Sequence, residues 1–418
     1  MILYYLFVLT LPLINQPLLA YSLGGLTVEK WLGLACFAYA LGVAARRRGA
    51  IAAAAPARAF ILLYLIVAIS LLGFGASTPD NLFWVLTSQL LFLLATLCLV
   101  DSLAKLRRTL LAAISSLAIA SLFVIHDWLA GSAVWGNAYR PGAVTGDANY
   151  FTAGAVLILP VAVFFFAERG SRRERAYCLG VVTVTLLAVM LAASRGGSLA
   201  LAAASVPLLL RSRRRWRSRA VAAALIVLLA VVAPVSPLRR WLHPSSGDRQ
   251  SSQDRVELWQ AGMAMLAAHP WSGVGVGNFK SQFALYAPPN ADLDFIAHNT
   301  YIEIGAETGA PGLAVFLLLL LATAIALARA RRRAPRGGGE LTYWAAAGLE
   351  AGLIGFLVAA FFLSAAFLKL FWLVVFLAAL LPGMAALEAA TSATSALAAG
   401  EAAPAARRRV ARWLAAAP

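Results

Sequence analysis

His298-Asn-Thr-Tyr-Ile-Glu-Ile-Gly-Ala-Glu-Thr-Gly-Ala-Pro-Gly312 is where the longest hydrophilic segment of this chain ends and an apolar run, 311–329, begins. The segment opens near Pro234. It holds His243, His269 and His298, three of the four histidines, together with Arg239, Arg240, Arg249 and Arg255. Elsewhere the 418-residue chain is dominated by apolar runs, being 61% hydrophobic with a mean hydropathy of +0.80. That composition lies far outside the soluble range and implies a polytopic helical membrane protein with one large polar loop.

Spans of ~20 mostly apolar residues are expected near 2–20, 29–45, 57–74, 82–100, 109–128, 151–168, 176–193, 197–211, 219–235, 311–329, 341–364 and 370–388. The fold class is therefore all-α, with about twelve transmembrane helices. Pairs as short as 176–193 and 197–211 also fit re-entrant segments. The expected organisation is nine helices over 1–234, a periplasmic loop with two helices over 235–310, three helices over 311–388, and an Ala-rich basic tail over 389–418. Met1 opens on an apolar stretch with no basic n-region, which favours a first membrane helix over a cleaved signal.

The formal charge of +17 invites a nucleic-acid reading, but its placement argues for topology. Most cations fall in short turns: Arg46–Arg48 with Arg58, Lys105 to Arg108, Arg169 to Arg175, Arg211 to Arg219, Arg329 to Arg336, and Arg407 to Arg412. Nine of the 35 Lys and Arg lie on the other side: Lys30, Arg140, Arg195, Arg239, Arg240, Arg249, Arg255, Lys280 and Lys369. The positive-inside rule puts both termini in the cytoplasm and the 234–312 segment outside. In a Gram-negative cell this is an inner-membrane protein whose loop faces the periplasm. Cys36, Cys98 and Cys178 sit in apolar runs with no metal spacing, so neither disulfides nor a Cys-bound metal is expected.

Within the loop, Ser251-Ser-Gln-Asp254 reads as the cap of a helix over 255–268, ended by His269-Pro270. Its apolar positions Leu258, Met265 and Leu266, with Trp259 and Met263, suit packing on the bundle or the membrane surface. Pro270-Trp-Ser-Gly-Val-Gly-Val-Gly277 lacks the strand and the Lys-Ser/Thr of a phosphate loop, so a tight, closely packed turn is the better reading. A second helix is expected from about His298-Asn299 to Thr308, stopped by Gly309. It would place His298, Ile302 and Gly305 on one face and Glu303 with Glu307 on another. Like charges at i,i+4 repel, so one of the two carboxylates should have a partner.

The candidate chemistry gathers on the outer side. His298 stands at the membrane border, where it is either a packing residue or a proton acceptor. Arg195, in Ser-Arg-Gly-Gly, either snorkels or binds an anion that approaches the glycine backbone. Arg140 has similar company in Arg-Pro-Gly, and Asn149 either caps a span or binds a polar ligand. Arginine forks suit pyrophosphate through bidentate bonds. Asp292 and Asp294 are isolated from other ligands, which gives a divalent metal little support.

These blocks together resemble the O-antigen ligases, within the superfamily shared with O-antigen polymerases and protein O-oligosaccharyltransferases. They are Arg140-Pro-Gly with Asp147-Ala-Asn149, Ser194-Arg195-Gly196, Arg255-x3-Trp259, Pro270-x2-Gly273-x-Gly275 with Phe279, and His298-Asn299-x7-Glu307-x-Gly309-x2-Gly312-Leu313. The resemblance implies a membrane glycosyltransferase that moves a glycan from undecaprenyl pyrophosphate to a sugar of the lipid A core. It further implies a metal-independent, inverting reaction needing no cofactor. His298, Arg195 and Arg255 would be catalytic. Arg140, Asn149, Asn299, Glu307 and Lys369 would bind substrate. Lys369 stands where the family pattern suggests an arginine, and a point charge cannot reproduce the fork. A polymerase, a protein O-oligosaccharyltransferase and a lipid-linked-glycan transporter are the alternatives. A transporter should carry ionisable groups at mid-span, whereas these gather at the outer ends.

Overall fold

The computed structural model describes residues 1–13, 22–23, 26–45, 54–75, 79–131, 134–135, 138–139, 147–168, 171–211, 244–288, 296–335, 341–366 and 368–398. The expected span at 219–235, Arg140, Asp292, Asp294 and the basic end of the tail lie outside them.

The described chain is helical. The first half holds α1 (Ile2–Thr10), α2 (Val28–Ala45), α3 (Ala55–Phe74), α4 (Pro79–Leu99), α5 (Leu103–Leu129), α6 (Ala148–Glu168), α7 (Arg172–Leu191) and α8 (Arg195–Arg211). The polar loop holds α9 (Ser246–Ala268) and α10 (Phe279–Tyr286). Then come α11 (Thr300–Arg333), α12 (Leu341–Ala359) and α13 (Lys369–Ala398). Two small antiparallel hairpins, β1–β2 (Ser22–Leu23 with Leu26–Thr27) and β3–β4 (Val134–Trp135 with Ala138–Tyr139), sit in connections. Among the described residues, eight helices are long and apolar enough to cross a membrane: α2, α3, α5, α6, α7, α11, α12 and α13. The protein is a polytopic helical membrane protein.

Local signals explain the helix starts. Ser102 caps α5 by accepting from Lys105 N. Ser171 and Glu174 form a capping box on α7. Asp147 caps α6, its Oδ1 accepting from Asn149 N at 2.6 Å and Tyr150 N at 3.2 Å. The cap is thus Asp147, and Asn149 lies inside the helix. Asp147 stands just before the first helical residue, and its charge suits the positive end of the helix.

α6 is buried along nearly its whole length, with α12 and α8 packed against it. The contact is backbone to backbone. A side chain at Gly352 would meet the Leu157 carbonyl oxygen at 2.2 Å, and one at Gly355 the Ala200 oxygen at 2.7 Å. Small residues allow this approach where no hydrophobic effect drives helices together in lipid. At one end of the bundle Arg107 meets Glu174, and Arg211 of α8 and Arg331 of α11 share Glu350 of α12. These contacts join turns that the charge pattern assigns to one side. Cys36, Cys98 and Cys178 are buried free thiols.

The loop differs from expectation in two respects. α9 begins at Ser246, so 251–254 lie within it; its end at Ala268 is as expected. A further helix, α10, follows Asn278. α9 packs on α11 through Leu258, Ala261 and Met265, against Phe279, Phe283 and Ala306, while Met263 faces out.

Candidate functional site

The end of the bundle opposite Glu350 collects the residues singled out from the sequence. α11 starts at Thr300, with Asn299 as its cap: Asn299 Oδ1 accepts from Tyr301 N at 3.0 Å and Ile302 N at 3.1 Å. His298 therefore stands outside the helix and does not share a face with Ile302 and Gly305. Its φ is +49°, a left-handed conformation that few non-glycine residues adopt. Thr300 anchors the bend. Its Oγ1 donates to Leu363 O at 2.6 Å and accepts from Ala365 N at 2.8 Å, and its N–H donates to Ala360 O at 2.9 Å. Tyr150 of α6 donates to Ser364 O at 2.8 Å. The turn after α12 thus ties the starts of α6 and α11 together.

Arg195 opens α8. Ala193, two residues earlier, has φ +48°, and with His298 these are the left-handed non-glycine residues among those described. Strained backbone at His298 itself and two residues before Arg195 marks positions where packing overrides conformational preference. Ser194 Oγ donates to Asn149 Oδ1 at 2.8 Å and accepts from Gly197 N at 3.1 Å, locking α8 to α6. Arg195 Nη2 donates to Ser252 Oγ of α9 at 3.3 Å. Arg255 lies one turn further along α9, on the same face as Ser252.

The electrostatics complete the group. The His298 pKa is held below its ordinary 6.5, first by burial and second by the charge of Arg255, with Asp147 pulling the other way. The charges of Arg255 and Asp147 thus act on the ring in opposite senses. α6, α8, α9 and the approach to α11 converge on one patch bearing two arginines, a histidine favoured in its neutral form, an aspartate and an asparagine. Such a patch can neutralise a developing phosphate charge and accept a proton.

The other expected residues sit elsewhere. Lys369 Nζ pairs with Glu29 Oε1 at 2.6 Å in a narrow, mostly apolar cleft with Phe7, Gln89 and Phe92. A second narrow cleft shares Gln89 and is lined by Phe60, Trp372, Glu303 and Glu307. Glu307 Oε1 accepts from Phe279 N at 3.2 Å, and the carboxylate also accepts from Gly277 N, so it caps α10 from another element. This is the partner expected for one of the two carboxylates. Glu303 faces the Ser364 hydroxyl, with Oε2 buried and unbonded.

The glycine turn is a brace. Val274 N donates to Ala306 O at 2.8 Å, Gly275 N to Glu307 O at 3.1 Å and Val276 N to Ser70 Oγ at 3.1 Å, while Ala310 N donates back to Pro270 O at 2.7 Å. Its N–H groups are spent on protein and cannot cradle a phosphate. It embraces α11 at Gly309, where φ is +69° and the helix kinks, close to the stop expected there.

Sequence reasoning gave Asp147 and Ser194 no role of their own, read Ser252 only as part of a helix cap, and passed over the 360–366 turn. Asp147 had a readable signal, an acid just before an apolar span. Ser252 and the turn had none, because their importance comes from tertiary contacts.

Fold and patch together define a polytopic membrane protein with an arginine–histidine site at one end of its bundle. Residues 179–317 match the O-antigen ligase family model, so the resemblance to that superfamily is borne out over α7 to the first half of α11. The match takes in Arg195, Arg255, His298, Asn299 and Glu307, and supports a ligase- or polymerase-type role in O-antigen processing. A comparison with curated proteins gave no match.

Proposed function

We propose that this protein is an O-antigen ligase of the bacterial inner membrane, transferring glycan from undecaprenyl pyrophosphate to a lipid A-core sugar on the periplasmic face. The observation that carries the reading is the convergence of Arg195, Arg255 and a neutral-favoured His298 at the bundle end away from the basic turns.

In this mechanism the neutral His298 ring takes the proton of the acceptor hydroxyl as that oxygen attacks the anomeric carbon. The bond from that carbon to the pyrophosphate oxygen breaks, and configuration inverts. Arg195 and Arg255 neutralise the departing undecaprenyl pyrophosphate, so the leaving group needs neither a proton nor a metal. Asp147 stabilises the imidazolium that forms. Asn149 and Asn299 position the patch, Arg140 adds a further cation to the donor, and Glu307 braces the loop. The clefts that share Gln89 offer apolar walls to the isoprenoid, with Lys369 meeting the donor only if it leaves Glu29.

The test is reconstitution of the purified full-length protein with lipid-linked glycan and, separately, core lipid, a second lipid-linked glycan and a pilin-type protein. Product on core lipid alone supports the ligase. Polymer or glycoprotein instead would reassign the acceptor, and no product with any acceptor would favour transport.

A further inference from the structure

α3, α11 and α13 border an open cleft where α11 ends in Arg329 and Arg333. From the Gly309 kink to Arg333 is about 36 Å along α11, so the cleft is remote from His298. Its wall is one stripe of α11. Leu318, Leu321 and Ile325 recur at helical spacing, are each at least 40% exposed, and run into Arg329 and Arg333. Arg58 faces them from the first turn of α3.

Three features point to a lipid anion. First, no acidic side chain lines the cleft among the described residues, and Arg58, Arg329 and Arg333 make no ion pair there. Their neighbour Arg331, by contrast, is bound to Glu350. Second, Ala54 precedes α3 without a side-chain cap and Pro56 lies in its first turn, so its free N–H groups and the positive end of its dipole add to the arginines. Third, the stripe from Leu318 to Arg329 rises about 16 Å, the depth of one leaflet's hydrocarbon. A soluble anion would have no use for an exposed apolar wall of that length.

We propose that this cleft binds an anionic phospholipid, with the phosphate held by Arg58, Arg329 and Arg333 and an acyl chain lying along Leu318, Leu321 and Ile325. The site is independent of the glycosyl-transfer reading. A basic turn placed by topology alone would need arginines, but neither a cleft nor an apolar continuation.

The test is native mass spectrometry of the detergent-purified full-length protein, titrated with dioleoyl phosphatidylglycerol or dioleoyl phosphatidylcholine. The wild type should retain the anionic lipid preferentially, and Arg58→Gln/Arg329→Gln/Arg333→Gln should weaken that retention about 100-fold. Arg108→Gln/Arg172→Gln/Arg173→Gln removes the same charge from exposed turns and should leave it intact. If the cleft triple fails to fold, each single substitution should still weaken retention about fivefold. Equal retention of the two lipids, equal loss in the control triple, or displacement of the lipid by inorganic phosphate would each overturn the proposal.

Discussion

His298 carries two opposing influences that can be separated by experiment. Burial and Arg255 disfavour its protonated form, while Asp147 favours it. If the neutral ring is the base, transfer is full above the folded-state pKa and falls as pH drops through it. That acid limb is expected below pH 6.5, the ordinary value. Arg255→Gln removes a positive neighbour and should move the limb upward, on top of a loss in rate. Asp147→Asn should move it downward. A limb that stays fixed in both variants would remove His298 from the proton transfer. His298→Ala and Arg195→Ala should each abolish transfer by the purified protein while leaving its melting temperature nearly unchanged. Asn299→Ala should instead lower stability by about 1 kcal/mol, as loss of a helix cap does. A melting curve in detergent distinguishes the two effects.

At the scale of elements, the glycine turn and α11 act as one unit. Gly273 has φ +64°, and a side chain there would meet the Glu307 carbonyl carbon at 2.3 Å. Gly273→Ala should therefore destabilise the loop by on the order of 2 kcal/mol. The loop's α9–α10 connection should become sensitive to limited proteolysis while the membrane spans stay intact. Unchanged proteolysis would show that the turn tolerates the strain. These elements also show what the sequence could reveal. The apolar runs made most of the spans readable, because a 20-residue stretch needs no tertiary context. The kink near Gly309 and the end of α9 at His269-Pro270 were legible from local sterics. α10 was not, because its cap is Glu307, 28 residues away. Of the two readings of Asn149, the cap fails because Asp147, two residues earlier, takes the free N–H groups, and only geometry shows that. The candidate residues were visible as cations without a topological reason. Their joining through Ser252 was not, since an exposed serine looks like any other.

Over the whole molecule, α12 is the piece on which both ends depend. Its C-terminal end leads into the turn that anchors Thr300 and Tyr150, and its Glu350 binds Arg211 and Arg331. Glu350→Ala leaves two arginines facing each other in a largely buried place and should cost about 3 kcal/mol. Thermal melting should drop accordingly, and Arg331→Ala in the same chain should recover part of the loss. No recovery would mean that the arginines were already solvated. Gly352→Val places a side chain against the Leu157 carbonyl and should reduce folded yield before it changes any rate. There is a consequence for synthesis. α6 and α8 leave the ribosome well before the helix that fills the groove between them. Some 150 residues separate Arg211 from the end of α12, roughly 10–30 s of translation. During that interval α12 is not yet there to close the groove, and Arg211 has no Glu350 to meet. Chains stopped before Leu341 would carry every residue proposed for chemistry and still present an open seam to lipid and to membrane proteases.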